Sequence, residues 1–123
     1  MPHPTLSRRA FTVAGVAALA APALHAQNNR IVLGQSAAFS GPAAQLGIQF
    51  NAGAKLYFDQ LNAQGGAAGH RIDISALDDG YEPDRCAENT RQLLGKDAFA
   101  LFGYIGTPTS VAALPLATQA STP

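Results

Sequence analysis

Residues 70–95 read HRIDISALDDGYEPDRCAENTRQLLG and place a predicted strand, a turn and a predicted helix in succession. Apolar and polar residues alternate over residues 70–77, which is the two-residue period of a β-strand. The Asp-Asp-Gly that follows is typical of a turn. A helix is predicted over residues 84–94, because a proline stands at its start and a glycine just past its end. This stretch therefore predicts one strand–helix unit.

Similar units precede and follow that stretch. A compact apolar run at residues 31–34 predicts a first strand, and a long segment at residues 43–63 predicts a helix. The apolar residues of that helix recur at steps of three and four: Leu46, Phe50, Gly53, Ala54, Tyr57 and Leu61. Residues 99–104 predict a third strand, and residues 108–120 predict a third helix.

The order strand–helix–strand–helix–strand–helix predicts an α/β fold, a parallel sheet with helices on both faces. Three strands make a thin sheet for such a fold, and the sequence stops where a further strand is expected. We therefore expect residues 27–123 to be the N-terminal part of a longer protein.

Two residues inside the predicted helices carry separate expectations. Gly53 weakens a helix by about 1 kcal/mol relative to alanine, so it suggests that the helix approaches the sheet closely at this point. Pro115 removes one backbone hydrogen bond and should kink or shorten the third helix.

Residues 1–26 have the pattern of a secretory signal peptide. Arg8 and Arg9 precede an uncharged, alanine-rich run that is too short to span a membrane, and small residues follow it. Cleavage is expected after Ala26. The arginine pair favours twin-arginine export, and ordinary secretory export is the alternative. No cysteine stands near the cleavage site, which argues against a lipid anchor.

Charge and cysteine content exclude several classes of function. Lysine and arginine total 8 against 8 acidic residues, so the chain lacks the basic excess that nucleic-acid binding needs. Loss of residues 1–26 would leave the remainder mildly acidic. Cys86 is the single cysteine, so no disulfide can form within this sequence.

Asp78 and Asp79 are the first candidates for chemistry, because paired carboxylates at the end of a strand could hold Mg²⁺ or accept a phosphoryl group. The turn interpretation, in which they bond nearby backbone amides, is favoured, since no third acid or lysine completes a site. His70 and Cys86 have no partner at metal-ligand spacing, so His70 is predicted to be exposed and Cys86 to be a small apolar filler. No metal or cofactor is expected.

The glycines at positions 34 and 41 do not form a dinucleotide fingerprint, because that motif needs G-x-G-x-x-G directly after the strand. A lysine-containing phosphate loop is absent too. Turn formation explains both glycines.

The segment FGYIGTPTS at residues 102–110 is the remaining candidate. Thr107 is predicted to cap the third helix, with Pro108 in the first turn and the amides of Thr109 and Ser110 pointing out of the helix end. A helix N-terminus at the carboxyl end of a parallel strand is a general anion site. Capping alone would account for one hydroxyl group, whereas three stand here beside two glycines. We therefore expect a small anion to bind at this helix end.

Five stretches of the sequence, in the same order and with similar spacing, resemble the periplasmic substrate-binding proteins of branched-chain amino acid ABC transporters. They are IVLGQS at 31–36, SGPAAQLG at 40–47, NAQGG at 62–66, LDDG at 77–80 and GYIGT at 103–107. The resemblance implies a two-lobed type I fold that closes on a small ligand, with residues 27–123 as the N-terminal portion of the first ligand-binding lobe. It also implies a monomeric periplasmic protein without enzymatic activity, which delivers an amino acid or related carboxylate to an inner-membrane permease.

The resemblance also implies roles for individual residues. The loop that matches Thr107 supplies a hydroxyl to the ligand carboxylate, and the position of Leu46 packs near the ligand side chain. With the residues of the loop, the expected ligand-binding set is Leu46, Tyr104, Gly106, Thr107, Thr109 and Ser110. Some members carry a cysteine at the position of Gly106, paired with one near the second helix, but Cys86 has no such partner here. Members that recognise leucine, isoleucine or valine often carry a serine at the position of Thr107 and an aromatic residue near that of Leu46, so the ligand stays open.

Two alternatives belong to other classes of protein. The first is a small exported α/β enzyme, a hydrolase or a phosphotransfer module, that uses Asp78, Asp79 and a hydroxyl of the loop. The second is a ligand-binding sensor domain, which a later membrane span would reveal.

Overall fold

A computed structural model of the chain describes residues 29–123. The predicted signal peptide, residues 1–26, lies outside the described part. The elements alternate as predicted: β1 (Arg30–Ala37), α1 (Ala44–Ala63), β2 (Arg71–Asp78), α2 (Pro83–Gly95), β3 (Ala100–Leu101) and α3 (Thr107–Gln119).

The three strands form one parallel sheet in the order β2-β1-β3. β1 pairs with β2 along its whole length, from Arg30 opposite Arg71 to Ala37 opposite Asp78. The pairing with β3 is shorter and aligns Gly34 with Leu101. All three strands therefore end at the same edge of the sheet, which confirms the predicted α/β class.

The side chains of β1 show which face each helix covers. Successive residues of a strand point to opposite faces. Ser36 accepts a hydrogen bond from Asn89 of α2 at 3.1 Å, whereas Gln35 accepts one from Asn51 of α1 at 2.6 Å. The helix α1 therefore covers one face, and α2 covers the other together with α3, which packs against it.

The third strand is shorter than the predicted 99–104. Backbone hydrogen bonds to β1 continue on either side of it, from Phe99 to the Val32 carbonyl and from Phe102 to the Gly34 carbonyl, both at 2.8 Å. Gly103 then has φ 66°, which takes the chain out of the extended conformation. Pairing with β1 stops for that reason before Tyr104.

The expectation for Gly53 is wrong. A Cβ atom built on Gly53 would meet none of the described residues within 4 Å, and Gly53 is exposed. The close approach belongs to Gly47, whose Cβ atom would lie 1.9 Å from the Ala38 carbonyl oxygen. Six residues at 100° each separate the two glycines by about 240° around the helix, so they cannot face the same neighbour.

The predicted apolar face of α1 is only partly buried. Leu46, Phe50 and Tyr57 are exposed, while Phe58, which lies outside the predicted set, is half-buried. Phe50 and Phe58 each contact the ring of Phe102, with centroids 5.6 and 5.7 Å apart. The narrow sheet therefore meets a face of α1 that is rotated from the predicted one.

Pro115 does not shorten α3, which continues to Gln119. A proline removes the hydrogen bond to the carbonyl four residues earlier, here that of Val111. Both residues are exposed, so water can satisfy that carbonyl. The predicted shortening is wrong, because the missing hydrogen bond lies on the solvent side of the helix, where water can replace it.

Candidate functional site

The loops that follow the three strands meet at the carboxyl edge of the sheet. Gln35 donates to the Gly103 carbonyl at 3.1 Å, which joins the end of β1 to the loop after β3. A Cβ atom at Gly41 would lie 3.9 Å from the Gly80 carbonyl oxygen, so the loops after β1 and β2 are also adjacent. This edge is where open parallel sheets bind ligands.

The helix α3 begins one residue earlier than predicted. Gly106 is its N-cap, with φ 102° and ψ 132°, and Thr107 is the first helical residue rather than the cap. Ser110 donates its amide to the Gly106 carbonyl at 3.0 Å, so this amide belongs to the helix and does not point out of its end. The amides of Thr107 and Thr109 are the ones that the helix leaves without an internal partner.

Three of the predicted residues share one groove. Gly106, Thr107 and Ser110 line an open groove of about 460 Å³ together with two apolar residues of α3, Val111 and Leu114. Thr107 is exposed, and within residues 29–123 its hydroxyl makes no hydrogen bond. Two hydroxyl groups and a helix N-terminus are therefore open to the same space.

Thr109 lies on the opposite side of the helix. It is fully buried, and its hydroxyl lies 2.7 Å from the Ile105 carbonyl oxygen and 2.9 Å from that of Gly106. Its hydroxyl therefore closes the turn that leads into α3. The structure does not bring Thr109 into the groove.

Tyr104 turns toward α2. Its hydroxyl lies 2.9 Å from the Thr90 hydroxyl, which itself donates to the Cys86 carbonyl at 2.7 Å. Thr90 has one hydrogen to give, so Tyr104 is the donor in the first bond. Burial raises the pKa of Tyr104 to about 12, which keeps the phenol neutral. Tyr104 lines a neighbouring groove, also with Ser110, and anchors the loop after β3.

Leu46 lies in the first turn of α1 and is 58% exposed. It belongs to neither groove at the start of α3. The described residues therefore leave its predicted contact with a ligand side chain untested.

Asp78 behaves as the turn interpretation predicts. Its carboxylate accepts hydrogen bonds from the amides of Phe39, Ser40 and Gly80 at 2.8, 3.2 and 2.9 Å, and from the Ser40 hydroxyl at 2.6 Å. Arg85 lies 3.3 Å away. Desolvation raises the pKa of Asp78, but these hydrogen bonds and the Arg85 charge outweigh it and lower the pKa to about 2. Asp78 thus holds the loops after β1 and β2 together.

The low pKa of Asp78 makes its contribution to stability depend on pH. A carboxyl group whose pKa is depressed by folding stabilises the protein above its ordinary value of 3.8 and loses that effect as the pH falls through about 2. We expect Asp78→Asn to lower the free energy of unfolding at neutral pH. The difference from wild type should shrink between about pH 4 and pH 2, as measured by denaturant titration across that range.

The exposed residue Asp59 supplies the control for that experiment. Asp59→Asn should change the free energy of unfolding at neutral pH by less than about 0.5 kcal/mol. A difference between wild type and Asp78→Asn that stays constant from neutral pH to about pH 2 would contradict this role of the Asp78 carboxylate.

Asp79 differs from its neighbour because it is fully buried. Its carboxylate accepts from the Ser36 hydroxyl at 2.7 Å and from the Tyr81 amide at 2.8 Å. Within residues 29–123, no group of three or more histidine, cysteine or acidic residues could hold a metal ion. Both aspartates therefore hold loops in place.

Cys86 is a free, buried cysteine, as predicted. Burial raises the pKa of its thiol, and the charge of Asp79 adds to that shift. His70 is half-buried, which differs from the predicted exposure, because Ala67 pairs with it in an isolated bridge just before β2.

The sequence interpretation missed Tyr81. Its ring packs on Gly106, where an added Cβ atom would lie 2.5 Å from Cε2 of the ring. The available signal was an aromatic residue directly after the Asp-Asp-Gly turn, at the same sheet edge as the FGYIGTPTS segment.

Comparison with known proteins gives the family. The family described as "Periplasmic binding protein" matches residues 30–123. The chain belongs to this family. The match confirms the resemblance that the five sequence stretches predicted. Within residues 29–123, no helix has both the length and the apolar character to cross a membrane.

Several curated proteins are similar in sequence to this chain. The Leu/Ile/Val-binding protein BraC3 of Rhizobium johnstonii is 30% identical over 112 residues, which make up 90% of this chain and 29% of BraC3. The Leu/Ile/Val-binding protein homolog 7 of Brucella abortus is also 30% identical, over 93% of this chain and 28% of its own length. The chain therefore spans less than a third of the length of these relatives.

Solved structures of periplasmic binding proteins share the fold. A possible leucine/isoleucine/valine-binding protein from Rhodopirellula baltica has a TM-score of 0.74 and 41% identity, over 77% of this chain and 26% of the other. LivJ of Streptococcus pneumoniae, in complex with isoleucine, has a TM-score of 0.73 and 30% identity, over 76% of this chain and 27% of its own. A solute binding protein from Rhodopseudomonas palustris, in complex with 3,4-dihydroxybenzoic acid, has a TM-score of 0.71 and 29% identity, over 77% of this chain and 26% of its own.

Proposed function

We propose that this protein is the extracytoplasmic solute-binding component of an ABC importer, and that the first turn of α3 binds the carboxylate of its ligand. One observation carries the proposal: the exposed Thr107 hydroxyl opens, with Ser110, into a groove at a helix N-terminus on the carboxyl edge of the sheet. Free amides and the helix dipole favour an anion at such a position.

The ligands of two similar proteins support a carboxylate as the recognised group. Isoleucine and 3,4-dihydroxybenzoic acid differ in size, in polarity and in the presence of an amine. A carboxyl group is what they share. We propose that the start of α3 recognises that shared group, and that residues outside the described part select among amino acids and other small carboxylates.

The cellular setting belongs to the same proposal. Residues 1–26 act as a signal peptide that is cleaved after Ala26, and the mature protein works as a monomer in the periplasm. It closes on its ligand, carries out no reaction on it, uses no cofactor, and presents the closed form to a permease in the inner membrane. The membership of the chain in the periplasmic binding protein family supports this setting.

The role of Thr107 can be tested by substitution in the purified mature protein. Thr107→Ala removes a hydrogen bond to a charged group, so we expect binding of the carboxylate to weaken by about 1–3 kcal/mol. The ligand is first chosen by a thermal-shift screen of amino acids and small carboxylates, which includes L-isoleucine and 3,4-dihydroxybenzoate. Isothermal titration calorimetry then measures the Kd of each variant.

Two matched variants control that experiment. Thr107→Ser keeps the hydroxyl and should bind within about threefold of wild type. Thr118→Ala removes an exposed threonine from the far end of the same helix and should leave the Kd unchanged. If Thr107→Ala binds as tightly as Thr107→Ser, the start of α3 is not the carboxylate site.

A further inference from the structure

Tyr81 stands at the junction of the loop after β2 and the start of α3. A Cβ atom at Gly106 would lie 2.5 Å from Cε2 and 2.8 Å from Cζ of the Tyr81 ring. The ring therefore rests on the residue that immediately precedes the candidate carboxylate site. Any side chain larger than that of glycine at position 106 would displace it.

The backbone of Tyr81 is held in an unfavourable conformation. Its φ of 70° lies in the left-handed region, which β-carbon-bearing residues other than asparagine and aspartate rarely adopt. The Tyr81 amide donates to Asp79, which is itself buried and bonded to Ser36. A glycine would fit this turn at lower cost, and the hydrogen bond to Asp79 helps to hold Tyr81 in this conformation.

The ring remains partly open to solvent. Tyr81 is 37% exposed, and within residues 29–123 no hydrogen bond of its hydroxyl is found. Tyr104, in contrast, has its hydroxyl bonded to Thr90. Of these two tyrosines near the start of α3, Tyr81 is the one with a free hydroxyl and an accessible ring.

We infer that Tyr81 is a ligand-contacting residue: its ring lies beside the groove, against Gly106, and contacts the apolar part of a carboxylate held at Thr107. This inference rests on the proposed function. The ring packs on Gly106, which itself lines the groove with Thr107, and part of Tyr81 is accessible. Aromatic rings supply a large contact area with little loss of conformational freedom.

Calorimetry on the complete mature protein, with L-isoleucine and 3,4-dihydroxybenzoate as probes, tests the inference. Tyr81→Ala should raise the Kd of the bound probe at least tenfold, whereas Tyr81→Phe, which keeps the ring, should stay within about threefold of wild type. Tyr57→Ala is the control, because this exposed tyrosine lies about 20 Å along α1 from the sheet edge. It should not change the Kd.

A spectroscopic readout separates contact with the ligand from a merely structural role. In protein with labelled tyrosine, nuclear Overhauser effects should connect the probe to one ring whose signals disappear in Tyr81→Phe. A raised Kd for Tyr81→Ala without such effects would assign Tyr81 to loop structure alone and overturn the inference.

The outcomes also separate this inference from the proposed function. Weaker binding by Thr107→Ala with wild-type binding by Tyr81→Ala would overturn the role of Tyr81 and retain the carboxylate site. Weaker binding by Tyr81→Ala with unchanged binding by Thr107→Ala would support Tyr81 and contradict the assignment of Thr107. Wild-type protein that binds none of the screened amino acids and small carboxylates would overturn both.

Discussion

Gly47→Ala is expected to lower the free energy of unfolding by about 3 kcal/mol or more. The added methyl group would lie 1.9 Å from the Ala38 carbonyl oxygen and 2.8 Å from its carbonyl carbon. Both are backbone atoms of the residue directly after β1, so they cannot turn away as a side chain could. The helix would have to move off the sheet, and the better helix propensity of alanine, about 1 kcal/mol, cannot offset that movement.

Gly53→Ala is the matched control in the same helix. A Cβ atom there meets no atom of residues 29–123 within 4 Å, so the change should stabilise the protein by up to about 1 kcal/mol through helix propensity alone. Denaturant titration of both variants measures the two free energies. Equal effects of the two substitutions would show that helix propensity, rather than the contact with Ala38, governs Gly47.

Asp79→Ala is expected to cost about 3 kcal/mol of stability. It would leave the buried Ser36 hydroxyl and the Tyr81 amide without their acceptor. When a buried acceptor is removed, each donor left unpaired lowers the stability by the free energy of its desolvation. Asp79→Asn should cost less than the alanine variant, since its amide oxygen can still accept one of the two bonds.

Asp59→Ala provides the comparison for Asp79. Asp59 is exposed on α1, and its carboxylate makes no hydrogen bond within residues 29–123, so its loss should change stability by less than about 0.5 kcal/mol. Chemical denaturation compares the three variants with wild type. A cost of Asp79→Ala as small as that of Asp59→Ala would mean that water replaces the lost acceptor, and would contradict the proposed bracing of the Tyr81 turn.

The order of elements could be predicted because each strand and helix carries its own local signal. Two examples are the alternation that ends at Leu77 and the proline and glycine at the borders of α2. Each signal lies within one element, so it can be read without knowing which residues pack against that element. The sequence did not predict that Gly47, rather than Gly53, makes the close approach. Which glycine faces the sheet depends on how α1 is rotated about its axis, and packing sets that rotation.

The sequence predicted three of the residues that line the groove at the start of α3, but not which of the neighbouring side chains face away from it. Thr107 and Ser110 line the groove, whereas Thr109 between them is buried, because successive helical residues are 100° apart. Hydroxyl content alone cannot distinguish these directions. Tyr81 was missed since it meets Gly106 across 25 residues of sequence, a contact that only the folded sheet creates.

The side chain of Gln35 has a mechanical consequence. It is fully buried at the end of β1, accepts a bond from Asn51 and donates one to the Gly103 carbonyl. These two bonds tie the helix on one face to the loop that leads into α3. With Asp78 joining the loops after β1 and β2, hydrogen bonds connect all three loops at the carboxyl edge. We therefore propose that this edge moves as one unit in the closure proposed above.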